Sequence, residues 1–171
     1  PRLDPPAGLD RLDALLCYDE AARAFVTAVK YRNARASVDG LAGSIASLVA
    51  PERSSIEIVT WAPTTPGRLR HRGFDQAELL ARAVARQLRL PVRRCLRRLP
   101  GPHQTGREAH LRRVGPRFAA LRSFDGSVLV VDDVCTTGAT LSGAAGTLRR
   151  SGARQVRGVV MAWTPRSRVD R

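Results

Sequence analysis

Val128-Leu129-Val130-Val131-Asp132-Asp133-Val134-Cys135-Thr136-Thr137-Gly138-Ala139-Thr140 decides the fold of this 171-residue chain. Four β-favouring apolar residues without polar alternation predict a strand buried on both faces, as parallel sheets require. Two adjacent carboxylates follow, then a short threonine and glycine loop, then a helical pattern with Leu141, Ala144, Ala145 and Leu148 on one face. The predicted order is a strand over 127–132, a loop over 133–139, a helix over 140–151 stopped by Gly152, and a strand over 155–162. Strand, helix and strand in that spacing imply a right-handed crossover and a parallel sheet.

The chemistry of the loop follows from its place. Ligands of open parallel sheets bind at the carboxyl ends of the strands, which is where Asp132 and Asp133 fall. One carboxylate can accept hydrogen bonds from sugar hydroxyls while the other orients a hydrated magnesium ion. Gly138 lets the backbone curl with its amides inward, Thr136, Thr137 and Thr140 add hydroxyls, and the helix start aims the positive end of its dipole at the same point. A sugar phosphate satisfies all three elements. The blander alternative is an acidic strand end with capping threonines and no ligand. No G-x-x-x-x-G-K-[ST] and no strand-borne G-x-G-x-x-G is present, which sets aside the triphosphate and dinucleotide loops.

Outward from this core, Leu12, Leu15, Leu16, Ala22, Phe25, Val26 and Val29 recur at helical intervals and predict one amphipathic helix ending near Tyr31. A second stripe, Val38, Leu41, Ala42, Ile45, Leu48 and Val49, predicts a helix that stops at Pro51. Residues 1–50 thus read as a helical lead. Ile56, Ile58, Val59 and Trp61 predict a strand, interrupted by the turn-forming Ala62-Pro63-Thr64-Thr65-Pro66-Gly67. Asp75 is placed to cap a helix with Leu79, Leu80, Val84 and Leu88 inward and Arg82, Arg86 and Arg89 outward. Over 91–124 the pattern dissolves into arginines, prolines and glycines, which reads as a basic, flexible hood over a site or as a disordered insert.

The length fits one domain over 1–171, large enough to bury roughly 70% of its unfolded surface. No run of about 18 apolar residues exists, so no membrane partner is expected, and the charged, proline-rich opening predicts a cytoplasmic protein. Cys17, Cys95 and Cys135 lack zinc or disulfide spacing and read as small, partly buried thiols. His71, His103 and His110 sit in arginine-rich loops without metal-ligand spacing. A net charge of +14 would attract polyanions, nucleic acid among them. Lys30 is the single lysine among the 29 basic residues, so the arginine bias is equally consistent with coding composition.

The segment 128–140 resembles the phosphoribosyl-pyrophosphate motif of the type I phosphoribosyltransferases. More of the chain, about 25–162, resembles one branch, the ComF family of competence-associated, amidophosphoribosyltransferase-like proteins. Lys30-Tyr31 is similar to that family's lysine-tyrosine pair, Arg72-Gly73-Phe74-Asp75-Gln76-Ala77 to its R-G-F-[ND]-Q-A signature, and Arg97 through Gln104-Thr105-Gly106 to its R-x(n)-Q-T segment. Two features depart from the pattern. Val114-Gly115-Pro116-Arg117-Phe118 lacks the family's asparagine, and of the four-cysteine zinc module many members carry, only Cys17 is a candidate remnant.

The resemblance implies an α/β fold of the type I phosphoribosyltransferase kind, with a mostly parallel central sheet of about five strands flanked by helices. It implies that Asp132 and Asp133 hold the ribose hydroxyls with Mg2+ nearby through water. Thr136, Thr137, Gly138, Ala139 and Thr140 would bind the 5-phosphate, and Ala62, Pro63, Thr64 and Thr65 would form the pyrophosphate loop. Expelling pyrophosphate from a ribose carbon leaves an oxocarbenium-like centre and a highly charged leaving group, which preorganised cations stabilise. Arg72, Arg97, Arg107 and Arg112 are the charge-stabilising candidates; Gln76 either faces the site or solvates the helix start. The implied activity is phosphoribosyl transfer from phosphoribosyl pyrophosphate in a competence or nucleotide context. The alternative is a non-catalytic module that senses that compound or binds single-stranded DNA beside a helicase-type competence protein. A homodimer is the simplest closed assembly.

Overall fold

The computed structural model describes residues 2–17, 34–100 and 115–164. Its central sheet has five strands in the order β1-β2-β7-β6-β3. These are β1 (Arg2–Leu3), β2 (Arg11–Cys17), β3 (Ile58–Trp61), β6 (Ser127–Cys135) and β7 (Gln155–Trp163). β1 pairs antiparallel with β2, and the remaining pairs are parallel. β4 (Leu96–Arg98) and β5 (Phe118–Ala120) form a separate antiparallel ribbon. The helices are α1 (Ala34–Val49), α2 (Pro66–Arg72), α3 (Gln76–Leu88) and α4 (Ala139–Arg150), with a 3₁₀ turn at Ala50–Ser55 carrying Pro51.

β6 is the middle of this arrangement. Val128, Leu129, Val130 and Val131 are all buried because both sheet faces are covered, and each such side chain contributes roughly 1.5–3 kcal/mol of burial. Leu129 and Val131 pack with Val59, Trp61 and the inner faces of α1 and α3. Val128 and Val130 pack on the opposite face with Leu141, Ala144, Leu148 of α4 and with Leu96 and Phe118 of the ribbon. The helices that follow the adjacent strands β3 and β6 therefore leave toward opposite faces. At the carboxyl edge between them lies the topological switch point, the place where α/β sheets form their ligand-binding crevice.

Three expectations from sequence are corrected. The helix predicted from Leu12 begins instead as β2, paired in parallel with β7 from Arg11 to Cys17. The spacing of Leu12, Leu15 and Leu16 fits a helix face, but the strand alternation was hidden by Asp13, a buried acid whose charge Arg11 neutralises at 2.6 and 2.9 Å. The rest of that stripe, Ala22 to Val29, lies outside the described residues, as does Lys30. Second, Pro66 and Gly67 are not only turn residues. Thr65 caps α2 by accepting from the Arg68 amide, and Pro66 occupies the first turn, where its missing N–H costs nothing.

Third, 91–124 is not without order. Val59 N–H donates to the Pro91 carbonyl and Arg93 N–H to the Val59 carbonyl, so the segment first extends the sheet beside β3. It then forms β4, with Cys95 and Leu96 buried and the Cys95 amide donating to Thr60 Oγ1 at 3.3 Å. Residues 101–114 lie outside the described residues.

The ribbon sits against α4 through Gly143. A Cβ at that position would lie 2.3 Å from the Pro116 carbonyl oxygen, whereas one at Gly40, on the exposed side of α1, would meet nothing within 4 Å. Alanine favours a helix interior over glycine by about 1 kcal/mol at both sites. Urea denaturation should show Gly40→Ala gaining about 0.5–1 kcal/mol, while overpacking makes Gly143→Ala lose about 1–3 kcal/mol. Equal gains at both positions would contradict the packing of the ribbon on α4.

Candidate functional site

β6 runs four residues beyond Val131, the end of its apolar core, so Asp132 and Asp133 belong to the strand and not to the loop after it. The regular alternation breaks across them. Val130 packs with the α4 cluster, yet Val134, four residues on, packs with the α1 and α3 cluster. Within this irregular stretch the Asp133 amide donates to Asp132 Oδ1 at 2.9 Å and the Val134 amide to Asp133 Oδ1 at 2.8 Å. Asp132 is only 8% exposed, and Asp133 is half-buried. Burial pushes the Asp132 carboxyl well above the usual carboxylate range, and the charges of Asp133 and Asp75 push the same way; the Asp133 amide opposes them.

Beyond Cys135 the chain makes the second component. Thr136 and Thr137 are exposed, Gly138 is buried with φ of 77°, and Ala139 and Thr140 open α4 half-buried. Thr137 Oγ1 accepts from the Ala139 amide at 3.3 Å, and no side chain caps the helix at Gly138. Glycine is required here twice over. Its φ is left-handed, and a Cβ would lie 2.6 Å from Pro6 Cγ, because the chain before β2 packs on this turn. A cavity of 480 Å³ opens beside the loop between Asp4, Pro6, Thr136, Thr137 and Trp163.

On the neighbouring strand, the Ala62 amide continues the ladder to Val131 O. Ala62 and Pro63 are buried, and Thr64 and Thr65 are half-buried. Asp75 ties this loop down. Its Oδ2 accepts from the Thr64 amide at 2.9 Å and its Oδ1 from the Ala77 amide at 3.1 Å, so one carboxylate both caps α3 and holds the loop after β3. The capping role is the one expected from sequence; the tie to Thr64 is not visible there. Burial raises the Asp75 carboxyl above its ordinary value, against the lowering effect of the Thr64, Glu78 and Ala77 amides. Gln76, next in the chain, is 8% exposed, and its Oε1 has no hydrogen-bond partner among the described residues.

The arginine candidates separate. Arg72 ends α2, half-buried; Arg97 is exposed on the outer side of β4; Arg107 and Arg112 lie outside the described residues. The arginine that turns inward is Arg98, which sequence reading passed over. It is half-buried, its guanidinium lies 5.6 Å from the Phe118 ring centroid, and Nη1 comes within 3.5 Å of the Pro63 carbonyl oxygen. Burial lowers its pKa, as does the charge of Arg68, while Asp132 and Asp75 raise it. Asp132 and Asp75 are thus the acids whose charge Arg98 feels. His71 is exposed, and the other two histidines lie outside the described residues. Cys95 and Cys135 are buried, whereas Cys17, expected to be partly buried, is exposed.

No group of three or more His, Cys, Asp or Glu side chains among the described residues could hold a metal ion alone. Asp132 and Asp133 are the carboxylates that could hold an ion such as magnesium, which takes one or two carboxylates and completes its shell with water and phosphate oxygens. Among the described residues no helix is long and apolar enough to cross a membrane.

Residues 75–171 match the family model described as the phosphoribosyl transferase domain. The chain belongs to that family. Of solved structures, the purine phosphoribosyltransferase from Pyrococcus horikoshii Ot3 is similar with a TM-score of 0.51 at 17% identity, over 78% of this chain and 77% of that one. A glutamic acid mutant from an analysis of an invariant aspartic acid in HPRTs gives 0.48 at 16% identity, over 78% and 71%. Among curated proteins none matches significantly. The likeness to the first structure supports the fold read from the motif: a phosphoribosyltransferase-like α/β domain with a mostly parallel sheet flanked by helices.

The buried acid makes a testable demand. A carboxyl whose folded pKa lies above its unfolded value of 3.8 binds more protons folded than unfolded. Its effect on stability is therefore most favourable below pH 3.8 and worsens as pH rises through the folded value. Asp132→Asn keeps the acceptor for the Asp133 amide without the charge. In thermal unfolding of the ligand-free protein, the variant should melt above wild type at pH 8, with the gap shrinking toward pH 4. A variant less stable than wild type by the same margin throughout would show that Asp132 is not a desolvated acid.

Proposed function

We propose that the crevice binds phosphoribosyl pyrophosphate with Mg2+ and transfers its phosphoribosyl group to a nucleophile, releasing pyrophosphate. The observation that carries this reading is the convergence, at one switch point, of two loops from adjacent parallel strands. One brings an acid pair and a helix start; the other brings a loop pinned by Asp75. Asp132 and Asp133 suit vicinal ribose hydroxyls, because a carboxylate accepts two hydrogen bonds and a diol donates two. The turn Thr136 to Thr140 suits the 5-phosphate through backbone amides, hydroxyls and the α4 dipole.

The loop Ala62 to Thr65 suits the pyrophosphate at the other end. Magnesium, when bound, supplies positive charge to the pyrophosphate oxygens. The chain's own part is to fix the sugar between two anchored ends and to set cations around the leaving group, so that C1 is presented to an acceptor with little reorganisation.

The match of Arg72-Gly73-Phe74-Asp75-Gln76-Ala77 to the ComF signature supports placing the chain in that competence-associated branch, in the cytoplasm. A second reading, that of a non-catalytic accessory module on single-stranded DNA with a helicase-type partner, is favoured by the net charge of +14.

Calorimetry with phosphoribosyl pyrophosphate and magnesium separates the readings. Wild type should bind, and Asp132→Asn/Asp133→Asn should weaken binding at least about tenfold, since hydrogen bonds to charged groups contribute about 1.5–3 kcal/mol each. Wild type and the double variant giving the same null result would remove the sugar-phosphate reading. Retardation of single-stranded DNA, steeply salt-dependent and untouched by the aspartate changes, would then favour the second.

A further inference from the structure

We infer that the groove between α4 and the β4–β5 ribbon is a second ligand site, which takes a phosphate monoester with an apolar body, of the size of a nucleoside monophosphate. A cavity of 520 Å³ lies there, within the range of about 300–1,000 Å³ that small-molecule sites occupy. Its α4 residues are Ala139, Ser142, Gly143, Thr147 and Arg150, a spacing that puts them on one face of the helix. The groove therefore follows α4 for about 16 Å, at 1.5 Å per residue. The facing wall includes Leu99, Pro116 and Arg117 of the ribbon and its flanks. Three features of the groove point to the ligand.

The first is charge. Arg149 and Arg150 are neighbours on α4, yet only one of them is answered by an acid. Arg149 meets Asp10 at 2.5 Å, as Arg11, Arg82, Arg86, Arg154 and Arg157 meet acids of their own. Arg150 and Arg117 form no ion pair among the described residues, and both line this groove. No carboxylate among the described residues lines it with them. A cleft walled by one sign of charge concentrates the opposite ion, and a phosphate is the anion that arginine forks match best.

The second is preorganisation. Arg150 Nη2 donates to Thr147 Oγ1 at 3.1 Å, and that buried hydroxyl donates in turn to the Gly143 carbonyl at 2.9 Å. The guanidinium is thus held along the helix with donors of its fork to spare. Across the groove, the Leu99 amide donates to the Arg117 carbonyl at 2.9 Å, which extends the ribbon ladder beneath that arginine. The third is the chemistry away from the cations. Ser142 lies about two turns nearer the start of α4 than Arg150. Its amide is spent on the Gly138 carbonyl at 2.8 Å, while its hydroxyl has no partner among the described residues. Leu99 and Pro116 add apolar surface. A bare anion would use the arginines alone; a longer ligand with hydroxyls and a flat apolar part uses the whole groove.

Calorimetry on the full chain, with ribose 5-phosphate in excess to occupy the turn Thr136 to Thr140, tests the groove with two probes, AMP and inorganic phosphate. AMP should bind one equivalent, and inorganic phosphate at least about tenfold more weakly. Arg117→Ala/Arg150→Ala should weaken AMP at least about tenfold and leave ribose 5-phosphate within about twofold of wild type. Arg93→Ala/Arg94→Ala removes the same charge from two exposed arginines elsewhere and should change neither. AMP that fails to bind, that displaces ribose 5-phosphate one for one, that binds no tighter than phosphate, or that is weakened equally by both double variants overturns the proposal. Failure of ribose 5-phosphate to bind counts against the crevice reading alone, and loss of AMP in Arg117→Ala/Arg150→Ala would still uphold the groove.

Discussion

A carboxylate at the end of a strand buried on both faces is the constraint around which this structure is arranged. β6 must be apolar from Val128 to Val131, because α1 and α3 cover one side and α4 with the ribbon covers the other. The same burial that stabilises the strand removes water from Asp132, which accepts a hydrogen bond from the next amide. An acid in that position is held at a cost and is most stable when a cation or a hydroxyl donor arrives. The switch point supplies the space for one, since the neighbouring crossovers diverge from it.

The surroundings of that acid are rigid where binding demands it. Asp75 accepts two amides, one from its own helix and one from the loop after β3, so the loop is tied to the start of α3. Gly138 lets the loop after β6 turn with positive φ while touching Pro6. The ribbon carries its arginine on an aromatic platform joined to the core by Cys95 and Leu96. Each connection links a site element to a packed element, which is how a small domain preorganises polar groups without a large interface.

The half of the chain from β6 onward was legible because every local signal agreed. A continuous apolar run, a glycine with threonines, a clean helical stripe and a second apolar run gave β6, α4 and β7 within a few residues. β2 was not legible, because Leu12, Leu15 and Leu16 satisfy a helical spacing and the buried Asp13 masks the alternation. α2 was hidden in Thr65-Pro66-Gly67, which serves a turn as well as a helix start. β4 and β5 have three residues each and pair across a long separation, too short for any period to show. In the same way Arg97-Arg98 reads as a charge run until pairing with Phe118 sends one inward and the other out. The turn from Thr136 to Thr140 was readable because its pattern of threonines and glycine is local; the inward course of Arg98 was not, because it is made by tertiary contact.

The central claim is that the turn from Thr136 to Thr140 receives a phosphate through its backbone. Titrating ribose 5-phosphate into isotopically labelled protein and following amide resonances tests that directly. The account requires the largest shifts at the amides of Thr137, Gly138, Ala139 and Thr140, saturating together. Shifts scattered over exposed arginines, with those four amides unmoved, would contradict it.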